Sequence, residues 1–401
     1  MVISLDAYAS AGVGVLALFL GMFFTDRVGF LKRFCIPAPV SGGLLMSLIT
    51  LFLYGVCGVE CSFDGSVKDL CMMLFFTSVG FQSDIKVLKK GGKPLLVMIA
   101  LVAVLIVAQN FISVGIAKGM KLDPLFGMAA GSIPMSGGHG TAGGFSPLLE
   151  SMGLGGASSI TMAAATFGLV AGSLLGGPLG EMLIQRHHLE DTPEDADDAS
   201  WAQLETKAAD AGTTPLREYL RGACLLIITM ALGTGLSRLL AMTGITFPTY
   251  FGALLFACLL RNVCGLSPKW EAGLGVSKIV SIGDICLQLF LGMAMASLRL
   301  WELASLALPL ALILTAQVAF IALYGAFVAF PLLGRNYDSA VLVSGICGFG
   351  LGATPNAMAN MSAVCLKYRY AVRPFIIVPI VGAMFVDIIN SGVITLFLNL
   401  I

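Results

Sequence analysis

Apolar residues gather into long runs separated by short polar stretches. In the first half the runs lie near residues 8–25, 40–57, 69–83, 94–117 and 156–184. A helix needs roughly 20 mostly apolar residues to cross a bilayer, so these predict five spans. Residues 186–218 then break the pattern with nine carboxylates, from Glu190 to Glu218, in a stretch containing Pro193, Gly212 and Pro215. That composition predicts a linker outside the membrane. Five further runs follow near 219–241, 248–264, 280–297, 304–331 and 374–398. The pattern therefore predicts an all-α polytopic membrane protein with a five-helix unit over 1–185, a linker over 186–218 and a second five-helix unit over 219–401.

Composition agrees: 57% of the 401 residues are hydrophobic and 11% charged, against about 25% charged in an average soluble protein. With a mean hydropathy of +0.93, the apolar surface exceeds what one core of this length buries, and a lipid bilayer must solvate the rest. Formal net charge is zero, and without a basic patch or tail nucleic-acid binding is excluded. The opening MVISLDAY lacks a basic n-region, so the first apolar run is expected to remain as a helix. Most cysteines lie in or beside apolar segments as small hydrophobes; Cys57 and Cys61 are close enough to pair or to bind metal, a minor reading. Lys and Arg favour the cytoplasmic side. With both termini outside and the acidic linker cytoplasmic, only Lys68, Lys118, Lys121, Arg238 and Arg299 fall outside, leaving 18 of 23 inside.

An odd number of spans in each half means that two halves of shared fold insert upside down relative to each other, the inverted-repeat design of secondary transporters. An offset of 215 maps Asp69 onto Asp284, Cys71 onto Cys286, Pro94 onto Pro309, Gly119 onto Gly334, Asp123 onto Asp338 and Gly137 onto Gly352. Two glycine-rich segments at matching positions are expected to be re-entrant or broken helices, over 125–146 and 338–358. Such backbone is tolerated at membrane depth only where protein or a water-filled cavity satisfies its N–H and C=O groups. Helix N-termini exposed there aim N–H groups at an anion, and freed carbonyls suit a small cation. A ligand site is therefore expected where Ser136 to Thr141 and Gly348 to Pro355 converge. Glycine for close helix packing is the competing reading of either segment alone.

Asp387 stands out as a carboxylate near the middle of a predicted span, where an unpaired charge costs at least about 2.5 kcal/mol. Asn390 and Ser391 follow at i+3 and i+4 on the same face, giving hard oxygen donors for Na⁺ or a proton relay. Asn356 and Asn360 share a face after the second glycine segment and suit either substrate recognition or helix capping. Gln109, Asn110 and Gln317 lie deep in spans, where amides more often hold helices together. Asp123 and Asp338 read as capping residues. His139 has no second ligand at metal-binding spacing. Ser136 with His139 as nucleophile and base fits poorly, because only three residues in a glycine loop separate them.

The motifs SGGHGT at Ser136 to Thr141, LWELASLALP at Leu300 to Pro309, CGFGLGATP at Cys347 to Pro355 and VPIVGAMFVDIIN at Val378 to Asn390 resemble those of the bacterial sodium/glutamate symporters, in order and over essentially the whole chain. The resemblance implies Na⁺-coupled symport of L-glutamate into the cell by alternating access, across the cytoplasmic (inner) membrane. It implies no enzyme and no organic cofactor, with Na⁺ as coupling ion. Kinship with 2-hydroxycarboxylate carriers further implies a homodimer with a scaffold part and a moving part. By motif, Ser136, Gly137, Gly138, His139, Gly140 and Thr141 with Gly350, Gly352, Ala353 and Thr354 are expected at the substrate site, joined by Asn356 as a reader of polar groups, and Asp387 and Asn390 are sodium candidates. Two positions depart from the family pattern: Ile346 stands where relatives carry histidine, and Ala38 replaces an acid between two prolines. The alternative is the same fold carrying another anion, a dicarboxylate or 2-hydroxycarboxylate, coupled to Na⁺ or H⁺.

Overall fold

The structure, a computed structural model, describes residues 2–34, 36–189, 216–242 and 247–401. Residues 190–215 of the expected linker lie outside the described residues. Each of the ten apolar runs coincides with helix. The first half holds α1 (Ala7–Arg27), the short α2 (Gly29–Arg33), α3 (Ala38–Cys57), α4 (Ser66–Gln82), α5 (Ile85–Gly119), the pieces α6 (Pro124–Ala129), α7 (Ser132–Met135) and α8 (Gly138–Ser151), and α9 (Ala157–Arg186). The second half holds α10 (Leu216–Ala241), α11 (Phe251–Cys264), α12 (Pro268–Leu274), α13 (Val276–Ala296), α14 (Ala307–Tyr324), α15 (Phe330–Leu332), α16 (Tyr337–Gly350), α17 (Thr354–Lys367), α18 (Val372–Ile380) and α19 (Val386–Leu398).

Local chemistry sets the ends. The Asp6 side chain caps α1 by accepting from Ala9 N–H, Asp84 caps α5 through Lys86 N–H, and Gly58 closes α3 at φ +62°. Among the described residues, seven helices are long and apolar enough to cross a membrane by length and composition. The remaining three expected spans fall on shorter pieces. α4 has 17 residues and α11 has 14, and the last run is divided by a π-helical turn at Val381–Phe385.

The all-α expectation needs one correction. Strands β1 (Val2–Leu5) and β2 (Glu60–Phe63) pair in parallel, Val2 opposite Glu60 and Leu5 opposite Phe63. Four-residue strands carry no periodic signal, and the ladder ties the start of the chain to the α3–α4 connection. Cys57 and Cys61 are both free thiols.

The helices sort into two bundles. The first combines α1, α3 and α4 with α10, α11 and α13; the second combines α5 to α9 with α14 to α19. Small residues let backbones touch in the first bundle: a Cβ at Gly42 would lie 1.8 Å from the Ala17 carbonyl oxygen, so α1 and α3 pack at backbone distance. The two halves also run in step. Moving α8 by 215 positions gives 353–366, against Thr354–Lys367 for α17; moving α9 gives 372–401, against α18 and α19 over 372–398.

Candidate functional site

Both glycine-rich segments are interrupted, but more narrowly than composition suggests. Asp123 caps α6 by accepting from Leu125 N–H, and the chain breaks at Ala130–Gly131 and again at Ser136–Gly137 before α8 begins. In the second segment α16 continues through Gly345, Gly348 and Gly350, and the break is confined to residues 351–353. Neighbours occupy the sides that these glycines leave open: a Cβ at Gly348 would lie 2.4 Å from Ala357 Cα, and one at Gly350 would lie 2.5 Å from Ile321 Cδ1. α16 is capped by Asn336, whose side chain forms a capping box with Ser339, while Asp338 lies in the first turn.

The breaks meet. Gly138 adopts φ +59°, and a Cβ there would lie 2.7 Å from the Gly352 carbonyl oxygen. Only glycine suits such an approach without strain. From this crossing α8 and α17, fourteen residues each, lead away, and their N-terminal positions, Gly137 and Ala353, supply no side-chain cap. α8 leaves its first N–H groups free, whereas α17 leaves only that of Thr354, because Pro355 has none and the Asn356 N–H donates to the Ala353 carbonyl at 3.1 Å; the helix dipoles add positive potential at both ends.

A cavity of about 510 Å³ opens at this point, between the two bundles, within the range of small-molecule sites, roughly 300–1,000 Å³. Ser136, Gly137, Gly138, His139, Gly140, Thr141, Gly352, Ala353, Thr354 and Asp387 all line it. The opposite wall comes from the first bundle, through Phe75, Val79 and Gln82 of α4 and Asp284, Leu287, Gln288 and Leu291 of α13.

Buried hydrogen bonds hold the breaks in place. The Ser136 hydroxyl donates to Gln109 Oε1 at 2.6 Å, Gln109 Nε2 donates to the Gly350 carbonyl at 2.8 Å, and Gln317 Nε2 donates to the Gln109 carbonyl at 2.8 Å. One amide on α5 therefore ties both interrupted segments together. Asn110 Oδ1 accepts from Ser132 N–H at 2.8 Å, and Asn390 Nδ2 donates to the Ser132 carbonyl at 3.0 Å. His139 Nε2 lies 3.0 Å from Thr166 Oγ1, whose proton goes to the Met162 carbonyl. The Thr166 hydroxyl thus holds the His139 ring in place against α9. Ser136 and His139 bond in different directions, so this geometry does not form a nucleophile–base pair.

Three candidate residues, Asn356, Gly350 and Asn390, lie away from the cavity wall. Asn356 is fully buried and donates through Nδ2 to the Leu169 carbonyl at 2.8 Å; it fastens α17 to α9. Asn360 does the same to Gly172 at 2.9 Å. Gly350 offers its carbonyl to Gln109, and its Cα faces Ile321 and Leu105. Asn390 is fully buried beside the cavity rather than on its surface.

Near Asp387 the buried Thr141 Oγ1 and Asn390 Oδ1 find no protein partner, while the Ser391 and Tyr250 hydroxyls lie within hydrogen-bonding reach of each other. A Cβ at Gly137 would touch both Thr141 and the Asn390 amide, and Tyr250 lies beside Ser391 within electrostatic reach of Asp387. Buried oxygens without donors suit a hard cation. No group of three or more His, Cys, Asp or Glu that could hold a metal ion occurs among the described residues. Sequence reasoning missed Tyr250, which arrives from the first bundle, and Asp284, which it used only as a landmark of the repeat.

The family model of the sodium/glutamate symporter matches residues 3–370. This chain belongs to the sodium/glutamate symporter family. It is 41% identical over 401 residues to the sodium/glutamate symporter of Escherichia coli K12, covering 99% of this chain and 98% of that one. The sodium/glutamate symporter of Haemophilus influenzae is 35% identical over 388 residues, covering 96% of each chain. The family match stops before Asp387, whereas these two alignments span nearly the full length of both proteins. Among solved structures, the sodium proton antiporter MjNhaP1 from Methanocaldococcus jannaschii aligns over 97% of this chain at 14% identity, with a TM-score of 0.43.

Proposed function

We propose that this protein carries L-glutamate together with Na⁺ into the cell by alternating access, and that the cavity between the two bundles is its transport site. One observation carries the reading: two uncapped helix N-termini, of α8 and α17, converge where Gly138 meets Gly352. A substrate with two carboxylates finds two positive helix ends at one place. The cavity-lining residues of Ser136 to Thr141 and Gly352 to Thr354 hold the substrate. Asp387, with the buried oxygens of Thr141, Asn390, Ser391 and Tyr250, holds Na⁺. Asn356 and Gly350 keep a positioning role through α9 and Gln109.

The chain is read as two inverted five-helix repeats, each with an interrupted glycine-rich segment, and the matching element bounds at an offset of 215 support this. The orientation with both termini outside and the linker cytoplasmic rests on the Lys and Arg count; the ion pairs join residues assigned to the same side. Arg261 pairs with Asp84 at 2.6 Å and with Glu271 at 3.1 Å, and Lys86 with Glu271 at 2.7 Å, all on the expected cytoplasmic side. Arg299 pairs with Glu60 at 3.2 Å on the expected outer side. Pro37 and Gln82 on the cavity wall then make the cavity inward-facing. The bacterial inner membrane and a homodimer follow from the resemblance.

Uptake of labelled L-glutamate into proteoliposomes tests the reading, with an inward Na⁺ gradient compared against K⁺ and against a pH gradient alone. Accumulation with Na⁺ only, competed by unlabelled glutamate, is the expected outcome. Uptake driven by protons and competed by another anion would overturn the substrate and the coupling ion together.

A further inference from the structure

The cavity has an unusual charge for a site that receives an anion. Among the described residues its wall carries two carboxylates, Asp284 and Asp387, and the His139 imidazole, but no Lys or Arg. Asp387 has its own surroundings, the unpartnered oxygens of the second bundle and Tyr250. Asp284 faces the cavity from the opposite wall. It lies in α13 on one stripe with Leu287, Gln288 and Leu291, at i+3, i+4 and i+7. Its neighbour Gly283 packs on Ser78 of α4, where a Cβ would lie 1.8 Å from the hydroxyl, so the register of α13 is fixed there. Leu287, one turn beyond, comes close to the first broken segment: a Cβ at Gly140 would lie 3.8 Å from Leu287 Cδ1. Asp284 is therefore about one turn from the residues at the N-terminus of α8.

Among the described residues Asp284 makes no hydrogen bond or ion pair, and its side chain is exposed, open to the cavity that it lines. A carboxylate on a cavity wall between helices is a functional position, open to a cationic group of a bound ligand. The cavity supplies positive ends for carboxylates and a separate oxygen cluster for a cation. An amino-acid substrate leaves one group without a partner, its ammonium.

We propose that Asp284 is the residue that receives the α-ammonium group of the substrate, and that it makes the site select an amino acid over a plain dicarboxylate. This rests on the glutamate reading above. With Asp284 present, a dicarboxylate lacking the ammonium meets an unpaired negative charge, so the same residue attracts one substrate and repels its analogue.

The test compares L-glutamate with glutarate, the same five-carbon dicarboxylate without the amine, as ligands of the purified, reconstituted protein. In Asp284→Asn, half-saturation for Na⁺-driven glutamate uptake is expected to rise by about tenfold to a hundredfold. Inhibition by glutarate is expected to stay the same or to strengthen, and Na⁺ dependence to remain. Asp284→Glu is expected to recover part of the discrimination. Asp284→Ser carries the same expectation as Asp284→Asn and guards against a folding defect in one variant. Thermal shifts induced by each ligand in detergent read binding apart from transport. Equal weakening of both ligands, unchanged glutamate affinity or loss of Na⁺ dependence would each overturn the proposal. Failure of the wild type to take up glutamate with Na⁺ would instead overturn the function on which it rests.

Discussion

The contact at Gly138 is the most exposed point of the reading, because two independent features forbid a side chain there. Gly138→Ala would place an alanine at φ +59°, costing about 1–2 kcal/mol. Its Cβ would lie 2.7 Å from the Gly352 carbonyl oxygen, and this neighbour is backbone that cannot rotate aside. Overpacking of that kind typically costs about 1–3 kcal/mol. Together the penalty is about 2–5 kcal/mol, a large part of a stability of roughly 5–15 kcal/mol. If the breaks instead move apart, the same energy appears as weakened substrate affinity, about thirty-fold to several thousand-fold. Thermal unfolding in detergent and Na⁺-driven uptake in proteoliposomes, measured on one preparation, read both routes. Gly115→Ala is the control, since a Cβ there meets nothing within 4 Å and α5 continues regularly through it; it is expected to be neutral or to stabilise by up to about 1 kcal/mol. Wild-type melting and wild-type uptake in Gly138→Ala would refute the meeting of the two breaks.

Two further substitutions test the interior. Gln109→Leu removes the acceptor for Ser136 and the donor to Gly350 at once. Each buried group left alone costs about 1–3 kcal/mol, so a clear fall in the melting temperature is expected, and unchanged melting would remove Gln109 as the tie between the segments. Asp387→Asn is expected to abolish the Na⁺ dependence of uptake in a protein that still melts cooperatively; preserved Na⁺ coupling would move the cation site elsewhere.

What was legible in the sequence follows from how each signal is encoded. Ten helices could be read because burial in lipid demands long apolar runs, and the run itself is the signal. The interruptions were legible as regions but not as positions. Glycine lowers helix propensity, yet Gly345, Gly348 and Gly350 stay helical because α14, α17 and α5 close against them. Asp387 declared itself through a charge in mid-run. Asp284 did not, because it sits four residues after the start of the apolar run at 280, where it reads as a helix-end residue. Asn356 shows the opposite failure: the spacing gave its face correctly, but only packing decided that this face meets α9 and not the cavity. Tyr250 was out of reach because its neighbours Ser391 and Asp387 lie well over a hundred residues away in sequence.

The distribution of hydrogen bonds between the bundles bears on how the cavity could change sides. The buried amides Gln109, Asn110, Gln317, Asn356, Asn360 and Asn390 bond to groups within the second bundle. Where α8 meets the first bundle, the contacts are apolar and lined by small residues: a Cβ at Gly143 would lie 2.2 Å from the Phe290 ring, and one at Gly144 would lie 2.7 Å from the Tyr250 ring. Directional bonds make a body rigid, whereas apolar faces slide at low cost; the polar ties between the bundles, Arg261 to Asp84 and Lys86 to Glu271, lie beside the α4–α5 connection and must break or travel in such a motion. A second bundle that moves as a unit past the first predicts that bridging this seam stops transport. In a background with the ten native cysteines replaced, Gly140→Cys combined with Leu287→Cys is expected to take up glutamate when reduced. Uptake is expected to be lost on addition of Hg²⁺ and to return with excess thiol. Because Gly140 and Leu287 both line the cavity, each single cysteine is treated alongside, and the bridge is read from the loss in the double variant beyond that of either single one. Continued uptake by a double variant shown to be bridged would mean that the seam does not move and that access changes within the second bundle.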